Sequence, residues 1–276
     1  MGKISVTEIS KLRKSTGAGM MDCKNALEEA NGDYYKAIDI IRKKGKAIAN
    51  KRADREASEG VVLAKVSDNS SRGAIIALNC ETDFVAKNSI FIKLAQSILD
   101  QAINEQPSSL DKLKQVKFGN TTIQEEVIAQ IGIIGEKLEL VYYSKIEAPT
   151  VYSYIHPGNK LASIVGFNKN DVGDQVAKNI AMQVAAMNPV AVDKENVPQE
   201  VRDKEIEIGK EQARTEGKPE QLLEKIAMGK LGKFFKENTL MNQLFIKENK
   251  KPIKQYLQET DKELTVTGFE RYSISN

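Results

Sequence analysis

Apolar residues recur at helical spacing through the first 45 positions, and the period then changes to two. Ser5-Val6-Thr7-Glu8 has the form of a capping box, and Val6, Ile9 and Leu12 follow on one face. Thr16-Gly17-Ala18-Gly19 breaks that helix. Asp22 is the expected cap of the next, which carries Ala26, Leu27 and Ala30. Asn31-Gly32 reads as a turn, and Asp33 as the start of a third helix with Tyr34, Ala37, Ile38 and Ile41 on one side. Gly45, behind Arg42-Lys43-Lys44, is expected to end it. Residues 1–45 thus form a three-helix domain, and residues 46–58 a polar, basic linker.

From Glu59 the chain alternates. Val61–Val66 and Gly73–Leu78 predict a hairpin around the turn cluster Ser67–Arg72. A long helix follows over Ser89–Asn104, with Ile90, Leu94, Ile98 and Ala102 four apart, backed by Phe91 and Ala95. Residues 107–120 read as irregular or a short helix, Thr121–Ile131 as a helix and Leu138–Ile146 as a strand. The order then repeats. Val151–Ile155 and Leu161–Phe167 pair around His156-Pro157-Gly158-Asn159, the helix Val172–Met187 follows, and Glu263–Ser273 closes the set. The letters Val-Ala-Lys-Asn occur in both halves, at 85–88 and 176–179. The expected fold is α+β, with two related subdomains, each an antiparallel sheet with packed helices. The first spans residues 59–148; the second spans 149–196 plus 237–276. Between those two pieces, residues 197–236 read as an antiparallel helical hairpin of coiled-coil type. Pro198 stands at the first helical position and the reversal is at Gly217-Lys218-Pro219-Glu220. Apolar positions are sparse on the first arm (Val201, Ile206, Ile208) and near heptad spacing on the second (Leu223, Ile226, Ala227, Leu231, Phe234). The narrow seam favours a pair projecting from the body, each arm about 27 Å long.

The 276 residues, 41% apolar and 29% charged, suffice for a core and a solvated surface. No apolar run approaches the ~20 residues that span a bilayer. Lys3 is followed by mixed polar residues, so no signal-peptide core is read, and a cytoplasmic location is expected. Cys23 and Cys80 lie far apart, outside any CxxC pair, and are expected as free thiols. With one histidine, His156, there is little material for a histidine metal site or a catalytic triad. Walker and dinucleotide glycine loops are absent. A hydrolase is disfavoured, and a binding protein rather than an enzyme is expected, with no cofactor or metal of its own. Charge is uneven: residues 1–58 hold 13 Lys/Arg against 8 Asp/Glu, and the remainder 28 against 30. An alternative is therefore an RNA- or ribosome-associated protein using residues 42–55 as a basic arm, with binding that weakens steeply in salt.

The joint between the second strand and the long helix reads Asn79-Cys80-Glu81-Thr82-Asp83-Phe84-Val85-Ala86-Lys87-Asn88. A strand-to-helix joint is a firm platform for function. One reading makes Thr82 or Asp83 a helix cap and Phe84 the first core residue of the helix. The other makes Asp83 and Phe84 contact residues for a partner.

Two segments decide the resemblance. The first is Leu12-Arg13-Lys14-Ser15-Thr16-Gly17-Ala18-Gly19-Met20-Met21-Asp22-Cys23-Lys24-Asn25-Ala26-Leu27, continued by Glu29-Ala30-Asn31-Gly32-Asp33; the second is Thr82–Asn88. Over essentially its full length the chain resembles the bacterial elongation factor Ts family. The resemblance implies a guanine nucleotide exchange factor for elongation factor Tu, with a ubiquitin-associated-like (UBA-like) helical domain, a two-subdomain core and a coiled-coil excursion. It implies that Thr82, Asp83, Phe84 and Val85 reach the partner's nucleotide site and dislodge its magnesium ion, with Phe84 as the wedge. It also implies partner contacts for Arg13, Met20, Met21 and His156. From the residues alone, one of the two methionines also reads as a core residue of so small a bundle, with contact the favoured role for at least one of them. Many family members carry a further carboxyl-terminal helical module, whereas this chain stops at Asn276. After the histidine it reads Pro157-Gly158-Asn159-Lys160, where relatives often have a Gly/Arg-rich turn.

Overall fold

The computed structural model describes residues 4–274. Residues 1–3, Lys3 among them, and residues 275–276, at the end of the expected second subdomain, lie outside the described residues. The chain divides into two compact units. One holds the chain up to Leu63 together with Ile76–Ser144, and the other holds Ala64–Ile75 and Lys145–Ser273.

The first unit opens with α1 (Val6–Thr16), α2 (Met20–Glu29) and α3 (Tyr34–Lys51). Ser5 and Glu8 make the expected capping box, and Gly17 ends α1 at φ 72° in the left-handed region. Ile9, Leu12, Ala18, Cys23, Ala26, Leu27, Ala30 and Ala37 form the bundle's core. Two expectations are corrected. Asp22 does not cap α2: Gly19 holds that position, and Asp22 lies in the first turn, bonded to Lys44 of α3. Gly45 does not end α3, which continues to Lys51. It is buried inside the helix, where a Cβ on Gly132 would lie 2.6 Å from the Gly45 Cα. A glycine within a helix costs about 1 kcal/mol against alanine; here it admits the backbone of a second helix. The segment 42–55 is not a free arm. Its first ten residues are helical, and Arg52 and Arg55 are both bonded to Glu81.

The chain continues through β1 (Glu59–Val66), β2 (Arg72–Cys80), α4 (Asp83–Ala86), α5 (Ser89–Glu105), α6 (Leu110–Gln115), the short strands β3 (Lys117–Phe118) and β4 (Thr121–Thr122), α7 (Ile123–Ile134) and β5 (Leu138–Glu147); residues 64–66, 72–75 and 145–147 of these strands belong to the second unit. The sheet order is β1-β2-β5. Central β2 is buried from Gly73 to Leu78, as its unbroken apolar run requires. Gly132 lies on α7, so the glycine pair is where α3 and α7 cross. On α5 the buried face is Phe91, Leu94, Ala95, Ile98, Leu99, Ala102 and Ile103. Ile90, expected inside, is 63% exposed, because the Asn88 cap aims the first turn outward and makes Phe91 the inward residue.

The second unit contains β6 (Thr150–Ile155), β7 (Leu161–Phe167), α8 (Asp174–Met187), α9 (Gln199–Thr215), α10 (Glu220–Asn238), β8 (Leu244–Phe245), β9 (Glu248–Pro252), α11 (Ile253–Thr260) and β10 (Val266–Ser273). Its antiparallel sheet runs β10-β7-β6. Both sheets place the second strand in the middle, flanked by the first and third, so the repeated element order is also a repeated topology. The two Val-Ala-Lys-Asn segments differ in setting. The first ends α4 and caps α5; the second lies within α8, where Asn179 is buried and donates to Tyr256 Oη at 2.8 Å.

Pro198 caps α9 rather than occupying its first turn. The seam of the helix pair is Gly209 and Ala213 against Leu223, Ala227 and Leu231. Ile208, expected in the seam, is 40% exposed. A Cβ on Gly209 would lie 3.1 Å from the Ala227 Cα, so the two backbones meet closely there. The stretch between α10 and β10, in which the sequence predicted no elements, buries Leu240, Met241, Phe245, Ile253 and Leu257 in the core of this unit, and side-chain amides add to its hold. Gln183 accepts from Ile246 N at 2.9 Å and donates to Leu244 O at 3.1 Å; Gln243 donates to Glu237 O at 3.0 Å. Among the described residues, no helix is long and apolar enough to cross a membrane.

The α3–α7 crossing predicts that Gly132→Leu destabilises the protein by ~1–3 kcal/mol through forced separation of the two helices. Urea unfolding should show a lower midpoint, and an unchanged midpoint would refute the crossing.

Candidate functional site

The joint at residues 80–88 is held by bonds that run in from two other segments, the link between α7 and β5 and the chain just after α3. Cys80 ends β2 fully buried, and its thiol donates to Thr82 O at 3.2 Å. Burial, then the charges of Glu136 and Glu59, push this thiol up to about 12, so it is not a nucleophile at neutral pH. Cys23 is also buried and free, and burial raises its thiol too.

Thr82 is the cap of α4, which settles the choice left open between Thr82 and Asp83. Its Oγ1 accepts from Val85 N at 3.4 Å. The same hydroxyl donates to Glu136 Oε1 at 2.6 Å, while Thr82 N donates to Glu136 Oε2 at 3.0 Å. One carboxylate therefore grips both polar groups of the cap residue. Its neighbour Glu81 is gripped in turn. Lys137 N donates to it at 2.6 Å, Arg52 Nη1 at 2.7 Å and Arg55 Nη1 at 3.1 Å. Burial alone would raise Glu81; the Lys137 N–H and the two guanidinium groups outweigh it and hold the carboxyl below its ordinary value. The Lys137 ammonium extends the same network to the carbonyls of Ala53 and Arg55, at 2.9 and 3.0 Å.

On this base stands a single turn of helix. Asp83 is its first residue and binds Lys87 at 2.7 Å, a bond that raises the Lys87 ammonium. Ala86 faces inward, and Val85 is half-buried. Phe84 is 83% exposed. The reading that makes Phe84 the first core residue is thereby corrected: the core is taken by Ala86 and Phe91.

The remaining residues singled out by sequence lie elsewhere. Arg13 is exposed in the last turn of α1, and Met20 and Met21 open α2 on the far side of the Gly17–Gly19 link. Both methionines are displayed, at 42% and 63% exposure, so neither is core. His156 belongs to the second unit. It is exposed at the start of the β6–β7 turn, with its Nδ1 3.0 Å from Tyr154 Oη. Its backbone N–H donates to Leu161 O, while Gly158 and Asn159 take positive φ. Glu136, Lys137, Arg52 and Arg55 escaped the sequence reading. Glu136 lies 54 residues from Thr82, and no spacing rule connects a glutamate after a helix to the cap of another. Glu81, immediately before the motif, was the one legible signal.

Among the described residues, no cluster of three or more His, Cys, Asp or Glu could hold a metal ion. What the joint offers is an aromatic ring and a carboxylate displayed on a braced turn, which is the equipment of a contact surface. A sequence model of the family described as Elongation factor TS matches residues 81–276, starting at this joint. Elongation factor Ts of Christiangramia forsetii is 50% identical over 99% of this chain and 100% of its own length. The protein of that name from Porphyromonas gingivalis is 51% identical, over 99% of this chain and 98% of its own. That from Cytophaga hutchinsonii is 45% identical over the full length of both.

The Glu81 network makes a pH prediction. A carboxyl whose folded value is depressed contributes stability above its unfolded value of 4.5, and that contribution is lost as pH falls through the lower folded value. The urea midpoint of the parent should exceed that of Glu81→Gln by most at pH 7, with the gap closing as the pH is taken below 4.5. A gap independent of pH would exclude the ionised clamp.

Proposed function

This chain belongs to the elongation factor Ts family, and from that membership we propose that it is a guanine nucleotide exchange factor for elongation factor Tu, with no bond chemistry of its own. The observation that carries the reading is Phe84, 83% exposed on a turn whose cap and neighbours are all bonded.

A GTPase holds its nucleotide through the phosphates, a Mg²⁺ ion and backbone donors. Release is slow because those contacts break together. A factor that binds the empty form better than the loaded form must, by linkage, be bound less well when nucleotide is present, and by the same ratio. One without such a preference shifts nothing. An aromatic ring serves this preference when its pocket exists only after the partner's side chains have moved off the metal and phosphates. Burying a ring that stands in water contributes on the order of 1.5–3 kcal/mol. A ~100-fold coupling corresponds to about 2.7 kcal/mol, so this one residue covers much of it. Asp83 brings a carboxylate next to the ring, Val85 adds apolar contact and Thr82 aims all three. GTP then displaces the factor by the same linkage run in reverse.

The other residues divide the rest of the contact. We assign Arg13, Met20 and Met21 to a handle on the amino-terminal bundle. Its charged head and two adaptable thioethers suit a surface that must hold on while the nucleotide site rearranges. His156, on the second unit, is a separate contact.

Phe84→Ala should leave the fold intact, within ~0.5 kcal/mol, because the ring is outside the core. It should slow release of fluorescent GDP from elongation factor Tu by roughly tenfold or more, equivalent to about 1.4 kcal/mol. Stopped-flow release at an unchanged rate would remove Phe84 from the mechanism.

A further inference from the structure

We propose that Glu136 is a positioning residue for nucleotide release, acting on elongation factor Tu only through the orientation it imposes on Phe84. The inference rests on the exchange reading above and names the group that sets its geometry.

The turn that carries Phe84 cannot hold itself. α4 is four residues long, and a helix that short has no independent stability in water. Its backbone bonds are Ala86 N to Thr82 O at 3.2 Å, Lys87 N to Asp83 O at 3.1 Å and Asn88 N to Val85 O at 2.9 Å. The first two converge on Thr82 and Asp83, so the entry of the turn is aimed by whatever fixes Thr82. That is Glu136. The hydroxyl of Thr82 has one proton, and it is committed to Glu136 Oε1 at 2.6 Å. This commitment turns an oxygen lone pair toward Val85 N, which donates to it at 3.4 Å. The second carboxylate oxygen takes Thr82 N at 3.0 Å. Two charge-assisted bonds from one planar group fix a direction as well as a distance.

Glu136 itself is set by the chain on both sides. Gly135, at φ 80°, ends α7 immediately before it, and Lys137 N is bonded to Glu81 immediately after it. The carboxylate thus starts from a fixed point of the backbone and is held at Thr82 by its two bonds. Removing it frees the hydroxyl to rotate, loosens the cap and leaves Thr82 N without its acceptor. The ring would then sample several directions instead of one. A displacement of about 1 Å in a positioned group is enough to cost up to ~100-fold in rate.

The test is a double-mutant cycle on GDP release at saturating factor. Glu136→Ala should lower the maximal rate roughly tenfold, Glu136→Gln should restore much of it through its remaining acceptor, and in the Phe84→Ala background the Glu136→Ala change should cost less than about twofold. Full additivity of the two losses, or a folded Glu136→Ala protein of parental rate, overturns the proposal. A Phe84→Ala protein of parental rate overturns the exchange reading itself, and this inference with it, and that failure is visible in the single mutant. Should Glu136→Ala fail to fold, Thr82→Val, which deletes only the hydroxyl, carries the same cycle. The chain has no tryptophan, so Phe84→Trp is a sole reporter in the free protein. Its fluorescence anisotropy should fall when Glu136→Ala is added, and an unchanged value would show that the carboxylate does not hold the ring.

Discussion

Two glutamates brace the joint between β2 and α5, and the display of Phe84 depends on them. A large ring left 83% in water forgoes on the order of 1.5–3 kcal/mol of burial. The chain tolerates this because its neighbours are satisfied independently: Ala86 and Phe91 fill the core, and Glu81 and Glu136 take the polar groups. Exposure of the ring is therefore a property of the local backbone, fixed by bonds that arrive from the link between α7 and β5 and from the segment after α3.

The amino-terminal bundle is tied into the same frame. Gly45 and Gly132 let α3 and α7 touch at the backbone, and the chain leaving α3 delivers Arg52 and Arg55 to Glu81. Residues that the sequence presents as a basic linker are in this way half helix and half clamp. The charges of Arg52 and Arg55 are spent within the protein on Glu81 and are less available to a nucleic acid. The exposed methionines of the bundle and the ring on the joint are consequently parts of one folded unit.

Much of this was legible before any coordinates. Caps at Ser5 and Asp33, the period-two runs and the turn pairs located most elements, and the order of those elements foretold two sheets of like topology. The misreadings have physical causes. Gly45 follows three cations, the usual signature of a helix end, and only the distant Gly132 explains why a glycine is needed within the helix. Ile90 and Phe91 are adjacent apolar residues, and a rotation of one position at the Asn88 cap decides which is inside. The stretch from Leu240 to Thr260 lacks a long periodic run because its core residues, Leu240, Met241, Phe245, Ile253 and Leu257, are spread over elements of two to eight residues. Glu136 was invisible because side-chain capping across 54 residues leaves no periodic trace. The exposed ring could be suspected from residue types, but its exposure is a tertiary fact.

The α9–α10 pair has an unequal seam. One arm supplies Gly209 and Ala213 and the other supplies Leu223, Ala227 and Leu231. Mutational drift in the two arms is accordingly lopsided. A larger side chain at Gly209 meets the opposing backbone at once, whereas a trimmed leucine on α10 leaves a void the pair can partly close. Over long divergence the first arm should keep its smallest residues while the second explores substitutes, so the ancestry of this excursion would be written in its holes more faithfully than in its knobs.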